Sequence, residues 1–125
     1  MIKRYLPVLF APLLLAGCAT TITNLTPHQQ VRNAENLYQV EAALDSSQQT
    51  LRWNTIRPEI VLGTDFYKMR PTPLMKNRWE GLVPVPPGTN LVHYRYKFNF
   101  MYTGMGKTES DSALSPDYTL RILDK

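Results

Sequence analysis

The stretch that decides the fold is LVHYRYKFNFMY, residues Leu91–Tyr102. From Val92 onward every second residue is apolar or aromatic, and the residues between them are polar or charged as far as Asn99. Successive side chains of a β-strand point to opposite faces, whereas a helix would spread both sets around its surface. The stretch therefore predicts a long strand with one buried and one wet face. The buried row comprises Val92, Tyr94, Tyr96, Phe98, Phe100 and Tyr102.

Shorter strands are predicted on both sides of this one. Tyr118–Leu123 closes the chain as a last strand, and Arg78–Val85 precedes the long one. Pro84 has no amide hydrogen, so that the earlier strand either ends there or lies at a sheet edge. Further upstream, Arg57–Met69 holds two β-rich runs around Gly63–Asp65, which is typical of a hairpin with a short turn.

The N-terminal half is more ambiguous. Residues Leu37–Leu44 alternate with period two and predict a strand with one wet face. A helix over residues 33–52 is the competing interpretation, because Ala, Glu and Gln favour helices. Thr20–Leu25 is a further candidate strand, while Pro27–Asn33 and Gly104–Pro116 are polar enough to be connections.

Short strands at regular intervals, with prolines between them and no clear helix, predict an all-β sandwich. The run Val83–Thr89 followed by Val92–Phe98 resembles the penultimate hairpin of immunoglobulin-like domains of the early-set kind, including carbohydrate-binding modules of glycogen-processing enzymes. Trp79 stands where those domains place a tryptophan. The resemblance implies an immunoglobulin-like antiparallel β-sandwich of about seven strands. With Cys18 as the one cysteine, a disulfide-bridged core is excluded.

The first residues have the layout of a secretory signal peptide. Lys3 and Arg4 precede an apolar run, Tyr5–Leu15, which is shorter than the ~20 residues of a membrane-spanning helix. The tetrad Leu15–Cys18, LAGC, resembles the lipobox of bacterial lipoproteins. The resemblance implies cleavage before Cys18 and acylation of that cysteine, and several acyl chains make membrane attachment practically permanent.

These features predict three parts of the chain: a signal peptide at 1–17, a lipidated N-terminus with the first strand and connection at 18–33, and the β-sandwich at 34–125. Lipoprotein sorting in bacteria with two membranes retains a protein in the inner membrane when aspartate follows the cysteine. Ala19 stands there, which favours the outer membrane.

Composition argues against several functions. The formal charge of +4 includes Lys3 and Arg4, and the rest of the chain has no basic cluster, so that no nucleic-acid partner is expected. His28 and His93 are too few to bind a metal once the thiol is lipidated, and no cofactor is predicted. No serine lies in a G-x-S-x-G turn. We therefore expect a non-enzyme.

Binding remains as the function to consider. Aromatic residues, Tyr118 among them, could either stack on sugar rings or pack in the core. The irregular cationic segment Met69–Trp79 could either recognise a partner or cover a sheet edge. The candidate binding residues are Trp53, Tyr67, Arg70, Lys76, Arg78 and Trp79.

Two functions follow. The first is a membrane-anchored, non-catalytic binding or accessory subunit of a cell-envelope protein assembly, and the alternative is a lipoprotein that binds carbohydrate or cell wall. The first predicts an apolar or open strand edge near Trp79–Val85. The alternative predicts two or more coplanar aromatic rings open to solvent.

Overall fold

A computed structural model describes residues 20–47 and 50–124. Cys18, Ala19 and the predicted signal peptide lie outside the described residues. The described chain folds into ten strands and has no helix that is long and apolar enough to cross a membrane. The strands are β1 (Thr20–Asn24), β2 (Gln29–Val31), β3 (Leu37–Ser46), β4 (Leu51–Leu62), β5 (Asp65–Lys68), β6 (Arg70–Pro71), β7 (Arg78–Pro84), β8 (Leu91–Gly104), β9 (Lys107–Leu114) and β10 (Tyr118–Leu123).

The strands form two sheets. One has the order β1-β3-β7-β6, and the other has the order β2-β10-β8-β4-β5, with β9 beside the second half of β8. All strand pairs are antiparallel except β2 with β10. These orders correspond to the A-B-E-D and G-F-C-C′ sheets of immunoglobulin domains. The predicted all-β, immunoglobulin-like sandwich is confirmed, although with ten strands instead of about seven.

The core lies between the two sheets and is built on β8. Tyr94, Tyr96 and Phe98 are almost completely buried, as the alternation in this strand predicts. From the opposite sheet, alternate residues of β3 meet them, so that the strand prediction for this segment is confirmed and the helix is excluded. Burying each large side chain contributes ~2 kcal/mol. The β3 residues are Tyr38, Val40, Ala42 and Leu44.

Three strands that the sequence pattern does not predict lie at sheet edges. The interpretation of Gly104–Pro116 and Pro27–Asn33 as connections was wrong in part, because they contain β9 and β2. β9 is exposed along most of its length and pairs with β8 alone, so that no buried row marks it. β6 has two residues and includes Pro71. Edge strands need no alternation when neither face is covered.

The connection after β7 differs from the hairpin that the family resemblance implies. β7 and β8 lie in different sheets, so that residues 85–90 cross from one sheet to the other. The amide of Thr89 donates to the carbonyl of Pro86 over 3.1 Å, and Gly88 has a φ of 90°, which glycine adopts without strain. The predicted turn is present, but the hairpin was wrong.

A chain of hydrogen bonds joins the two sheets within this core. The amide of Glu41 donates to Thr26 Oγ1 over 2.8 Å, and the hydroxyl groups of Thr26 and Tyr96 are 3.0 Å apart. Tyr96 donates to Asn24 Oδ1 over 2.7 Å, and Asn24 Nδ2 donates to the hydroxyl of Tyr94 over 3.0 Å. Burial raises the pKa of Tyr96 far above its ordinary value. Glu41 and Tyr96 lie on the B- and F-type strands that immunoglobulin domains often join by a disulfide.

Candidate functional site

The aromatic residues singled out in the sequence do not form a platform. Trp79 is 6% exposed and packs edge-on against Phe98, with 5.4 Å between ring centroids. Tyr118 is half-buried against the rings of Tyr94 and Tyr96, at 5.8 and 5.7 Å. These two rings are therefore parts of the packed core, and their faces are not free for a sugar.

Trp53 is the candidate ring that is open to solvent. It is 43% exposed and lies in β4, within the register shift between Arg52 and Arg57. Tyr67, on β5, is half-buried and packs against the core. Among the four aromatic candidates, the structure thus leaves one largely accessible ring.

The three cationic candidates occupy different surroundings. Arg70 donates from Nε and Nη2 to one carboxylate oxygen of Glu80, over 3.1 and 2.9 Å. Arg78, at the start of β7, lies 3.9 Å from the carboxylate of Glu41. Lys76 is exposed in the loop before β7. The structure brings Arg70 and Tyr67 to one site and leaves the other candidates apart from it.

That site is a groove between the edges of the two sheets, which we call the edge cleft. It has a volume of about 550 Å³ and lies where β5 and β6 approach β7. Its walls combine apolar, aromatic and charged side chains. The lining residues are Gln39, Phe66, Tyr67, Lys68, Met69, Arg70, Glu80, Gly81 and Leu82.

Gly81 permits the close approach of the two sheets at this edge. A Cβ atom at this position would lie 2.8 Å from Cδ1 of Ile60 and 3.3 Å from Cγ of Met69. Both distances are shorter than ordinary van der Waals contact, so that a larger residue would force the side chains of Ile60 and Met69 to move. A glycine within a strand often marks such a close approach.

The ladder between β6 and β7 ends at Glu80, and in the described chain no strand is paired with β7 on this side beyond it. The amide of Thr72 donates to the carbonyl of Arg78 over 2.9 Å, so that the backbone of Arg78 faces β6. Backbone groups alternate sides along an antiparallel strand, and Leu82 therefore has its amide and carbonyl on the same side. An extended segment could continue the sheet there, as far as Pro84, which has no donor.

The side chains of the edge cleft favour a mixed ligand. Phe66 is 53% exposed on β5 and Leu82 is 49% exposed on β7, which gives the cleft two apolar walls. Between them the nearly buried carboxylate of Glu80 is held by Arg70, while Lys68 is exposed. The site can accept an apolar side chain and, beside it, a carboxylate.

A second concavity, of about 580 Å³, lies on the outer face of the sheet that contains β8. Its charged groups are mostly engaged: Arg95 is paired with Asp117 at 2.8 Å, and Lys97 lies 5.8 Å from the ring centroid of Phe66. Phe66 lines both concavities. What distinguishes the edge cleft from this second concavity is the open edge of β7 beside it.

Sequence reasoning missed several residues of the edge cleft, notably Phe66, Glu80 and Leu82. Phe66 and Leu82 lie in segments whose pattern predicts a strand. The pattern does not indicate which of their apolar side chains stay exposed. Gly81, inside a predicted strand, was the available signal. Within residues 20–47 and 50–124, no three His, Cys, Asp or Glu side chains are grouped so that they could hold a metal ion.

The geometry defines the chain as an immunoglobulin-like β-sandwich with an open edge cleft. Among solved structures, murine CRIg is similar to it, with 8% sequence identity, a TM-score of 0.43 and coverage of 84% of this chain and 98% of that one. This similarity is weak, and the fold assignment depends on the strand order described above. No protein-family model matches the chain, and no curated protein sequence does.

Proposed function

We propose that the protein is a lipid-anchored, non-catalytic lipoprotein of the cell envelope that binds a partner protein in the edge cleft. The anchor is Cys18, placed by the resemblance of LAGC to a lipobox, with the outer membrane as its location in an organism with two membranes. The partner contributes an extended segment with an apolar residue and a neighbouring carboxylate.

The observation that carries this proposal is the end of the β6–β7 ladder at Glu80, beside the exposed side chains of Phe66 and Leu82. A strand edge whose backbone groups face a groove is the usual setting for strand addition, in which main-chain hydrogen bonds supply affinity and side-chain pockets supply specificity. A lipid anchor would add to this affinity by confining both proteins to one surface.

Site-specific photocrosslinking in native membranes tests the proposal. The photoreactive residue p-benzoylphenylalanine replaces Leu82 in the full chain, and in a matched control it replaces Leu91, which is 42% exposed on β8. We expect one discrete protein adduct from position 82, weak or absent from position 91. A Cys18→Ser chain should lose the membrane attachment and most of the adduct.

Equal adduct patterns from positions 82 and 91 would contradict a partner in the edge cleft. An adduct from position 82 that is undiminished in the Cys18→Ser chain would separate cleft binding from anchoring. The carbohydrate alternative gains no support from the rings, because Trp79 is buried and Trp53 is not joined by a second open ring among the candidates.

A further inference from the structure

One end of the sandwich contains the start of β1. Thr20 starts β1 and pairs with Ser46 at the end of β3. The carbonyl of Asn77, the last residue of the β6–β7 loop, accepts a hydrogen bond from the amide of Leu44, also near the end of β3. In the other sheet, Leu51 at the start of β4 pairs with Tyr102 near the end of β8. We call this set of strand ends and loops the N-terminal end; it includes residues 72–77 and the turn at 105–106.

Two loop tips at the N-terminal end expose large apolar side chains completely. Leu74 is 103% exposed and Met105 is 98% exposed, whereas the other exposed large apolar residues of the described chain range from 38% to 56%. Met75, beside Leu74, is exposed as well. Fully exposed leucine and methionine at two loop tips of the same end present apolar area that contact with water does not stabilise.

The backbone at both tips makes these residue types still less expected. Leu74 has a φ of 66° and Met105 a φ of 49°, in the left-handed region that Gly, Asn and Asp occupy at lower cost. Met105 and Gly106 both have positive φ, which is the requirement of a tight hairpin turn that usually takes Asn-Gly. Folding alone would favour small or polar residues here, so that the apolar side chains point to another role.

The two ends of the sandwich also differ in charge. Among the described positions of these strand ends and loops, the N-terminal end carries Arg52, Lys76, Arg78 and Lys107 against the acidic residues Asp45 and Glu109. At the opposite end, the acidic residues outnumber the cations among the corresponding described strand ends and loops. The residues there are Glu35, Asp65 and Asp124 against Arg32 and Arg121. Leu74 and Met105, each with a lysine two residues further along the chain, match a bilayer surface with anionic headgroups.

We propose that the N-terminal end is a membrane-docking surface, with Leu74 and Met105 inserted among the lipid headgroups. This inference depends on the lipid anchor of the proposed function. Cys18 precedes Thr20 by two residues, a connection that spans at most ~7 Å, so that an anchored domain has this end next to the bilayer. The lipid attaches the protein, and the two tips and the cations hold it upright.

Depth measurements with an environment-sensitive fluorophore test the orientation. Single cysteines replace Leu74, Met105 and, at the opposite end, Thr64 in the full chain. The acylated proteins are placed in vesicles of three parts phosphatidylethanolamine to one part phosphatidylglycerol, with a quencher on the lipid headgroup. We expect quenching at positions 74 and 105 to exceed that at 64 by about threefold or more. Lys76→Glu with Lys107→Glu should reduce it, and Lys68→Glu with Arg121→Glu should not.

The wild-type chain provides the control for the anchor. Its one cysteine takes no dye when it is acylated, and the protein then stays with the vesicles after washing. Dye at Cys18 and loss from the vesicles would overturn the anchor and this inference with it. Retention on the vesicles with no more quenching at 74 and 105 than at 64 would overturn the docking surface alone.

Discussion

Tyr96 and Phe98 lie two residues apart on the buried face of β8, but they join the two sheets by different means. Phe98 meets Trp79 of the opposite sheet by ring packing, at 5.4 Å between centroids. Tyr96 instead reaches the opposite sheet through hydrogen bonds with Asn24 and Thr26. One region depends on the burial of apolar area, and the other depends on the direction of a few polar contacts.

The two mechanisms suit their positions. Ring packing tolerates small shifts, and Trp79 lies beside Glu80 and Gly81 of the edge cleft, where a ligand would alter the surroundings. Hydrogen bonds require specific distances and angles, so that the chain through Tyr96 fixes how β1 and β3 sit against β8. We therefore expect the ring packing of Phe98 and Trp79 to contribute more to the free energy of unfolding. We expect the hydrogen bonds of Tyr96 to contribute more to the specific arrangement of the two sheets.

Trp79→Ala should have the largest effect. Removal of a buried tryptophan leaves a cavity, and the free energy of unfolding should fall by about 3–5 kcal/mol. Urea denaturation followed by circular dichroism measures it. Trp53→Ala is the matched control, since this ring is 43% exposed, and it should cost about 1 kcal/mol or less. Equal losses in the two variants would refute the assignment of Trp79 to the core.

Tyr96→Phe comes next, with an expected loss of about 2 kcal/mol, because Asn24 and Thr26 would each lose a buried partner. Tyr94→Phe, which removes one acceptor for Asn24, should cost less. Equilibrium unfolding of both variants under the same conditions gives the difference. A Tyr96→Phe variant as stable as the wild type would show that the hydrogen bonds of Tyr96 contribute no net stability.

The Tyr96 hydroxyl also predicts a dependence on alkaline pH. Burial keeps it protonated in the folded state, whereas in the unfolded chain it ionises near pH 10. Stability from this group is therefore present below pH 10 and falls as the pH rises above it. The advantage of the wild type over Tyr96→Phe should shrink by about 1.4 kcal/mol per pH unit above 10. A difference that stays constant to pH 11 would argue against the burial of this hydroxyl.

Gly81→Ala tests the close approach beside the ring-packed region and should cost about 1 kcal/mol, since the new Cβ would meet Cδ1 of Ile60. Ile60→Val removes that atom. The cost of Gly81→Ala should accordingly be smaller in the Ile60→Val background, which a double-mutant cycle of unfolding free energies measures. Additive costs would place the strain elsewhere.

Met105→Asn should have the smallest effect, and the opposite sign. Asparagine accepts positive φ more readily than methionine, so that the hairpin turn should gain about 0.5 kcal/mol. Thermal unfolding should show a small rise in midpoint, while membrane docking weakens. A variant that loses stability would mean that the Met105 side chain makes contacts that support the fold.

The sequence predicted the parts of the molecule in which one side of a strand is buried. The alternation in β8 and β3 located about half of the buried core, and the hairpin of β4 and β5 was confirmed with its turn at Gly63. β9 was not predicted, because an edge strand that is exposed along most of its length shows no alternation of apolar residues. The edge cleft could not be predicted for a different reason. It lies where β5 of one sheet approaches β6 and β7 of the other, and no local sequence pattern indicates which strand edges lie side by side.

The course of β7 has a consequence for geometry in the cell. The strand starts with Arg78 at the N-terminal end and runs away from it, and four residues of extended chain rise ~13 Å to Leu82. With the proposed anchor and docking surface, the short connection after Cys18 leaves the domain little freedom to tilt. The edge cleft would then stand at a nearly constant height above the lipid, and it would select partners whose binding segment extends to that level.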